Sequence, residues 1–120
     1  MAQKKRMYQI AERIKELLAT QLLRATDPRL QLVTITAVVT SQDLGHAKVY
    51  WITSGDKERI EQTREGFESA KNHLRRSIGH ALGIRYTPEL VFYYDDTLDE
   101  TAKIEDIFRK LEEDKKTRGL

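Results

Sequence analysis

The chain has 120 residues and no cysteine, with 21 Lys and Arg against 19 Asp and Glu and a formal charge of +2. That length fits one domain with a modest core, and the missing cysteines exclude a disulfide framework or a thiolate metal site. No apolar run approaches the ~20 residues of a membrane helix, and the basic start M-A-Q-K-K-R-M-Y has no apolar block behind it, so a secretory leader is excluded and a cytoplasmic protein is expected.

The first predicted element is a helix over 7–25. Met7, Ile10, Ile14, Leu17, Leu18 and Leu22 recur at spacings of three and four and so share one face. Asp27-Pro28 closes it, because a residue before proline is pushed out of the helical region. Residues 31–41 read as a strand, with Val33, Ile35, Ala37 and Val39 expected on one face and mostly threonines on the other. Turn residues Ser41 to Gly45 lead into a second strand over 46–54, the two forming an antiparallel hairpin. Its buried face is left open between Val49 with Trp51 and Lys48 with Tyr50 and Ile52.

Asp56 caps a long helix over 57–79 whose stripe is Ile60, Phe67, Ala70, Leu74 and Ile78. Gly79 and Gly83 then predict a kink or a second short helix. A third strand follows over 85–94, with Pro88 near its start or on an edge. Thr97 and Glu100 match a capping box, and a last helix carries Ile104, Ile107, Phe108 and Leu111 on one side. The ends at 1–6 and 113–120 are short and charged. The order helix, strand, strand, helix, short helix, strand, helix predicts an α+β two-layer domain. The third strand returns across the long helix and can lie parallel to an earlier one.

The chemistry in the chain is that of binding. No P-loop, dinucleotide fingerprint or GxSxG serine is present, and His46, His73 and His80 lack metal-ligand spacing. Asp95-Asp96 is an adjacent pair, and in an extended segment neighbours point to opposite faces, so a turn and helix-start role fits better than shared acid–base work. Charge, however, is segregated: +4 over residues 1–30, −2 over 31–70, +4 over 71–88, −7 over 89–114 and +3 over 115–120. Such segregation gives one face that attracts phosphate and another that repels it. The stretch from Lys71 to Arg85 holds Lys71, Arg75, Arg76 and Arg85 and no acid. Arginine suits phosphate through its planar fork of donors. Two alternatives remain: a protein–protein module using a sheet edge or the acidic last helix, and a small hydrolase using Asp95 or Asp96. Of the strand aromatics Tyr50, Trp51, Tyr86, Phe92, Tyr93 and Tyr94, most are expected in the core.

D-P-R-L at 27–30, A-K-V-Y at 47–50, I-G-H-A-L-G-I-R-Y-T-P-E-L-V-F-Y-Y-D at 78–95, D-x-x-L-D-E-T at 95–101 and I-x-x-I-F at 104–108 occur in that order. Together they make the chain resemble the ribosome-binding factor A family, bacterial factors for small-subunit assembly. The resemblance implies a fold similar to a type II KH domain, helix–strand–strand–helix–short helix–strand, here with an additional C-terminal helix. KH domains grip single strands with a GxxG loop; the family has an alanine–any–glycine kink there, which in this sequence is Ala81-Leu82-Gly83. It implies binding to the small (30S) ribosomal subunit through 16S ribosomal RNA, late rRNA processing and maturation, a role in cold adaptation, and action beside other assembly factors, GTPases included. It implies no catalytic residue and no cofactor. Many relatives extend further at the C-terminus, so a function of such a tail is expected to be absent or reduced here. The residues expected to contact RNA are Lys71, Arg75, Arg76, His80 and Arg85. Ala81 and Gly83 would shape the kink, with Lys4, Lys5, Arg6, Arg29 and Lys48 as secondary contacts. The protein is expected to be a monomer that holds an immature RNA conformation and leaves when maturation is complete.

Overall fold

A computed structural model describes residues 2–97 and 107–113, with side chains from Lys5 onward. In chain order come α1 (Ala2–Leu23), a 3-10 turn (Pro28–Leu30), β1 (Val33–Thr40), β2 (His46–Thr53), α2 (Lys57–Leu82) and β3 (Glu89–Tyr94). Residues 107–113 are again helical. The sheet order is β1–β2–β3, with β1 antiparallel and β3 parallel to β2. Both long helices pack on one side of the sheet, and the core lies between these two layers. This is the α+β, KH-like arrangement that the resemblance implies.

Helix α1 buries Ala11, Ile14, Leu18 and Leu22, a stripe at spacings of three and four. It starts at Ala2 rather than residue 7, so Lys5 and Arg6 are helical rather than part of a loose charged end. It ends at Leu23. Asp27 is extended and accepts a hydrogen bond from the Arg29 N–H (2.9 Å), capping the 3-10 turn that Pro28 opens.

Strand β1 departs from simple alternation. Its register with β2 shifts between Ile35 and Ala37, a bulge centred on Thr36. The extra residue reverses the faces beyond it. Ile35 points into the core, but Val38 and Thr40 follow it there, opposite Val49 and Ala47. Val39, expected inside, is 53% exposed. The bulge also frees the Thr36 hydroxyl, which donates to Asp95 Oδ2 at 2.7 Å, so a side chain of β1 reaches the residue just past β3. In β2, Ala47, Val49 and Trp51 are fully buried, which settles the face that periodicity left open.

Asp56 caps α2 through the Arg59 N–H (3.0 Å). Phe67, Leu74 and Ile78 enter the core, with Ile60 and Ala70 packed beside them. The kink or separate short helix expected after Gly79 does not form. Instead α2 continues to Leu82 and stops at Gly83, whose φ of +64° is left-handed and whose N–H returns to the carbonyls of Gly79 and His80. Ala81 and Leu82 are good helix formers, and Leu82 packs against the core, so nothing local favours a break.

Strand β3 begins at Glu89, later than residue 85. Pro88 has no N–H for the ladder, and the Thr87 carbonyl accepts hydrogen bonds from the Arg75 guanidinium (2.9 and 3.3 Å). Pairing therefore starts with the Glu89 N–H on the Gly45 carbonyl (2.9 Å) and runs on to the Asp95 N–H on the Trp51 carbonyl (2.8 Å). Of the expected capping box, the Thr97 N–H is taken by Asp95 Oδ1 (3.1 Å), while Glu100 lies outside the described residues. So do Ile104 of the last helix and residues 114–120 of the charged tail. Ile107, Phe108 and Leu111 are exposed.

Candidate nucleic-acid interface

Sheet register decides where the basic residues meet. One end of the sheet holds the β1–β2 turn and the starts of β2 and β3. The C-terminal part of α2 reaches this end, since Gly79 lies against Thr87 just before β3. The first turns of α1 reach it too, because Met7 and Tyr8 line a cavity with Thr40 and Gln42. Lys5, Arg6, Lys48, Lys71, Arg75, Arg76, His80 and Arg85 thus come from four parts of the sequence to one end of the molecule. Lys4 belongs to the backbone of α1, and its side chain is outside the described residues.

The members of this set are differently occupied. Arg76 and His80, one turn apart on α2, are both exposed and are neighbours on its solvent side. Arg75 lies 100° around the helix from Arg76 and is committed to the Thr87 carbonyl, so it fastens the 84–88 segment to α2. Lys71 faces the same side as Arg75, with its Nζ 4.0 Å from Glu89 Oε1. The other Glu89 oxygen lies 3.5 Å from His46 Nε2. Glu89 is the acid set among these bases, and it holds Lys71 against the start of β3. Arg85 is exposed and rests over the Tyr86 ring, 5.4 Å from its centroid. Ala81 is exposed, and Gly83 ends α2.

Arg29 does not join them. It lies in the 3-10 turn at the other end of α1 and makes a forked contact with Asp27 (2.8–3.2 Å). That contact holds the Asp27 carboxyl below its ordinary range, the Arg29 side-chain bond being the main cause. Two carboxylates besides Glu89 bear on the basic end or on the sheet face beside it, and both are engaged. Asp43 accepts from the Ser41 hydroxyl (2.7 Å) and the Gly45 N–H (2.9 Å), which lower its pKa. Asp95 is lowered by hydrogen bonds from the Thr97 side chain and the Thr36 hydroxyl. A carboxylate so held acts as a fixed acceptor in the turn, and Asp96 beside it is exposed.

The sheet side away from the helices carries His46, Lys48, Tyr50 and Ile52 from β2 and Glu89, Val91 and Tyr93 from β3, the alternates of the buried residues. Tyr50 and Tyr93, two of the strand aromatics of which most are expected in the core, stack there on each other. The alternation of β2 contained this signal, but parity alone does not say which face is covered. Among the described residues, no helix is long and apolar enough to cross a membrane, and no cluster of three His, Cys, Asp or Glu could hold a metal ion.

The family profile described as Ribosome-binding factor A matches residues 6–108. A ribosome-binding factor A from Halothermothrix orenii is 35% identical over 115 residues, covering 95% of this chain and 94% of that protein. Among solved structures, a putative ribosome binding factor A from Thermotoga maritima superposes with a TM-score of 0.67 at 33% identity, covering 73% of this chain and 85% of that one. Ribosome binding factor A of Thermus thermophilus, as fitted into a cryo-EM map of its complex with the 30S subunit, gives a TM-score of 0.59 at 26% identity, covering 69% and 88%.

Proposed function

The chain belongs to the ribosome-binding factor A family, and from that membership we propose that it binds the small (30S) ribosomal subunit through 16S ribosomal RNA. In this reading it is a cytoplasmic, monomeric, non-catalytic assembly factor that assists late rRNA processing and subunit maturation. It supports growth in the cold and acts alongside other factors, GTPases among them. It occupies an immature RNA conformation and leaves when the mature one forms.

The observation that carries the reading is the gathering of Lys5, Arg6, Lys48, Arg76, His80 and Arg85 at one end of the sheet. Cations brought to one end of a domain neutralise phosphates and release counterions, so affinity falls steeply with salt. Arg76 is the cleanest probe because it is exposed, while Arg75 also anchors the Thr87 segment.

Co-sedimentation with purified small subunits across a salt series tests this. Binding is expected to weaken steeply as salt rises. Arg76→Glu is expected to lower affinity roughly tenfold at low salt and to flatten the log–log slope by about one unit, with the thermal midpoint unchanged. Absence of binding at low salt, or equal binding by wild type and Arg76→Glu, would remove the reading or this surface from it.

A further inference from the structure

We propose that the face of the sheet away from α1 and α2 is a second RNA-contacting surface, on which Tyr50 and Tyr93 stack unpaired bases of a single strand while Lys48 holds a neighbouring phosphate. This rests on the RNA-binding reading above and adds a site that the basic helix does not explain.

Tyr50 and Tyr93 are direct partners in the parallel ladder between β2 and β3. Their ring centroids are 5.7 Å apart with planes at 29°, and Tyr93 is 42% exposed. The two rings, stacked against each other on a rigid sheet, form a platform whose outer faces and edges a base can meet. Every base has a π-face, so stacking on such a platform is tolerant of sequence. Lys48 lies two residues from Tyr50 on the same face, roughly 7 Å along the strand, opposite Val91 and Val39. Its side chain is exposed, and among the described residues no ion pair engages it.

The acids bordering this face are already engaged. Glu89 faces His46 and Lys71, and Asp95 accepts from Thr36 and Thr97. What the face offers a ligand is therefore aromatic and cationic, the chemistry of a single nucleic-acid strand. Its corner at His46 and Glu89 runs into Lys71, so a strand can pass from the basic end onto the tyrosines, and among the described residues the carboxylate at that corner, Glu89, is paired. Among the described residues of the last helical segment, Ile107, Phe108 and Leu111 are 58%, 63% and 53% exposed, so these three side chains do not cover it.

The test measures binding of the full chain to an unstructured 12-nucleotide RNA and to a hairpin of the same composition, each over a salt series. Tyr93→Leu is expected to weaken single-strand binding about tenfold, equivalent to about 1.4 kcal/mol. Its salt slope and hairpin affinity should not change, and Tyr93→Phe should bind within twofold of wild type. Lys48→Gln is expected to reduce the single-strand slope by about 0.7. Single-strand binding by Tyr93→Leu within twofold of wild type overturns the proposal. So does an equal loss for both RNAs, which would mean that Tyr93 acts through the fold. If wild type binds neither RNA nor the small subunit, the RNA-binding reading falls with it. Salt-sensitive wild-type binding with an unaffected Tyr93→Leu removes the stacking site alone.

Discussion

Gly79 shows how one residue can be read correctly as special and wrongly as to why. Its place in a run with Gly83 suggested a kink, yet it sits inside a continuous α2. The reason for glycine is close approach. A Cβ at 79 would collide with Thr87 Oγ1 and lie 3.2 Å from Thr87 Cβ. Relief requires Thr87 to change rotamer, and one of the two alternatives swings its methyl into the same space, while Arg75 holds its carbonyl. Gly79→Ala gains about 1 kcal/mol of helix propensity but overpacks this contact, which typically costs about 1–3 kcal/mol. It is expected to lower the thermal midpoint. In a Thr87→Ala background most of that penalty should vanish, and calorimetry of the four proteins in the cycle checks it. Arg75 and Thr87 are twelve residues apart, so neither this contact nor the double role of Arg75 was legible in the sequence. The exposed position of Arg76 required only helix periodicity.

At the level of elements, the sequence revealed most where one period held throughout. The stripes of α1 and α2, the Asp56 cap and the antiparallel hairpin all follow from local pattern. Strand β1 defeated that reasoning, because V-T-I-T-A-V-V-T alternates in one parity throughout, while the bulge at Thr36 switches the buried parity halfway along. The switch has a simple consequence. Val38 packs against the core while Val39 faces water, the reverse of unbroken alternation. Val39→Lys is expected to leave the thermal midpoint nearly unchanged. Val38→Lys puts a cation against apolar neighbours and should cost roughly 2 kcal/mol or more. Denaturant midpoints for the two variants check the register, and equal costs would contradict the bulge.

For the whole molecule, the governing fact is polarity between its two ends. Lys5 and Arg6 of α1, Lys48 of β2, Lys71, Arg75, Arg76 and His80 of α2 and Arg85 before β3 lie toward one end, while Arg29 sits with Asp27, beside Arg59, at the other. The parallel pairing of β3 beside β2 returns the end of α2, with its bases, to the turn end of the sheet. The assignment separates variants by position rather than by charge. Arg29→Ala should leave small-subunit affinity within about twofold of wild type, whereas an equally conservative loss of one charge at Arg76 should weaken binding measurably at the same salt. Equal effects in co-sedimentation would show that net charge matters and placement does not.

Trp51 is the only tryptophan in the chain. It is fully buried on β2, opposite Ile35 of β1, with its ring 5.3 Å from both Phe67 of α2 and Tyr94 of β3. Its fluorescence therefore senses three elements at once, and loss of any one of them would alter it. Tyr50 and Tyr93 lie across the sheet from it. A ligand on their face need not disturb the indole, so intrinsic emission can follow the integrity of the fold while an optical label on RNA follows occupancy in the same cuvette.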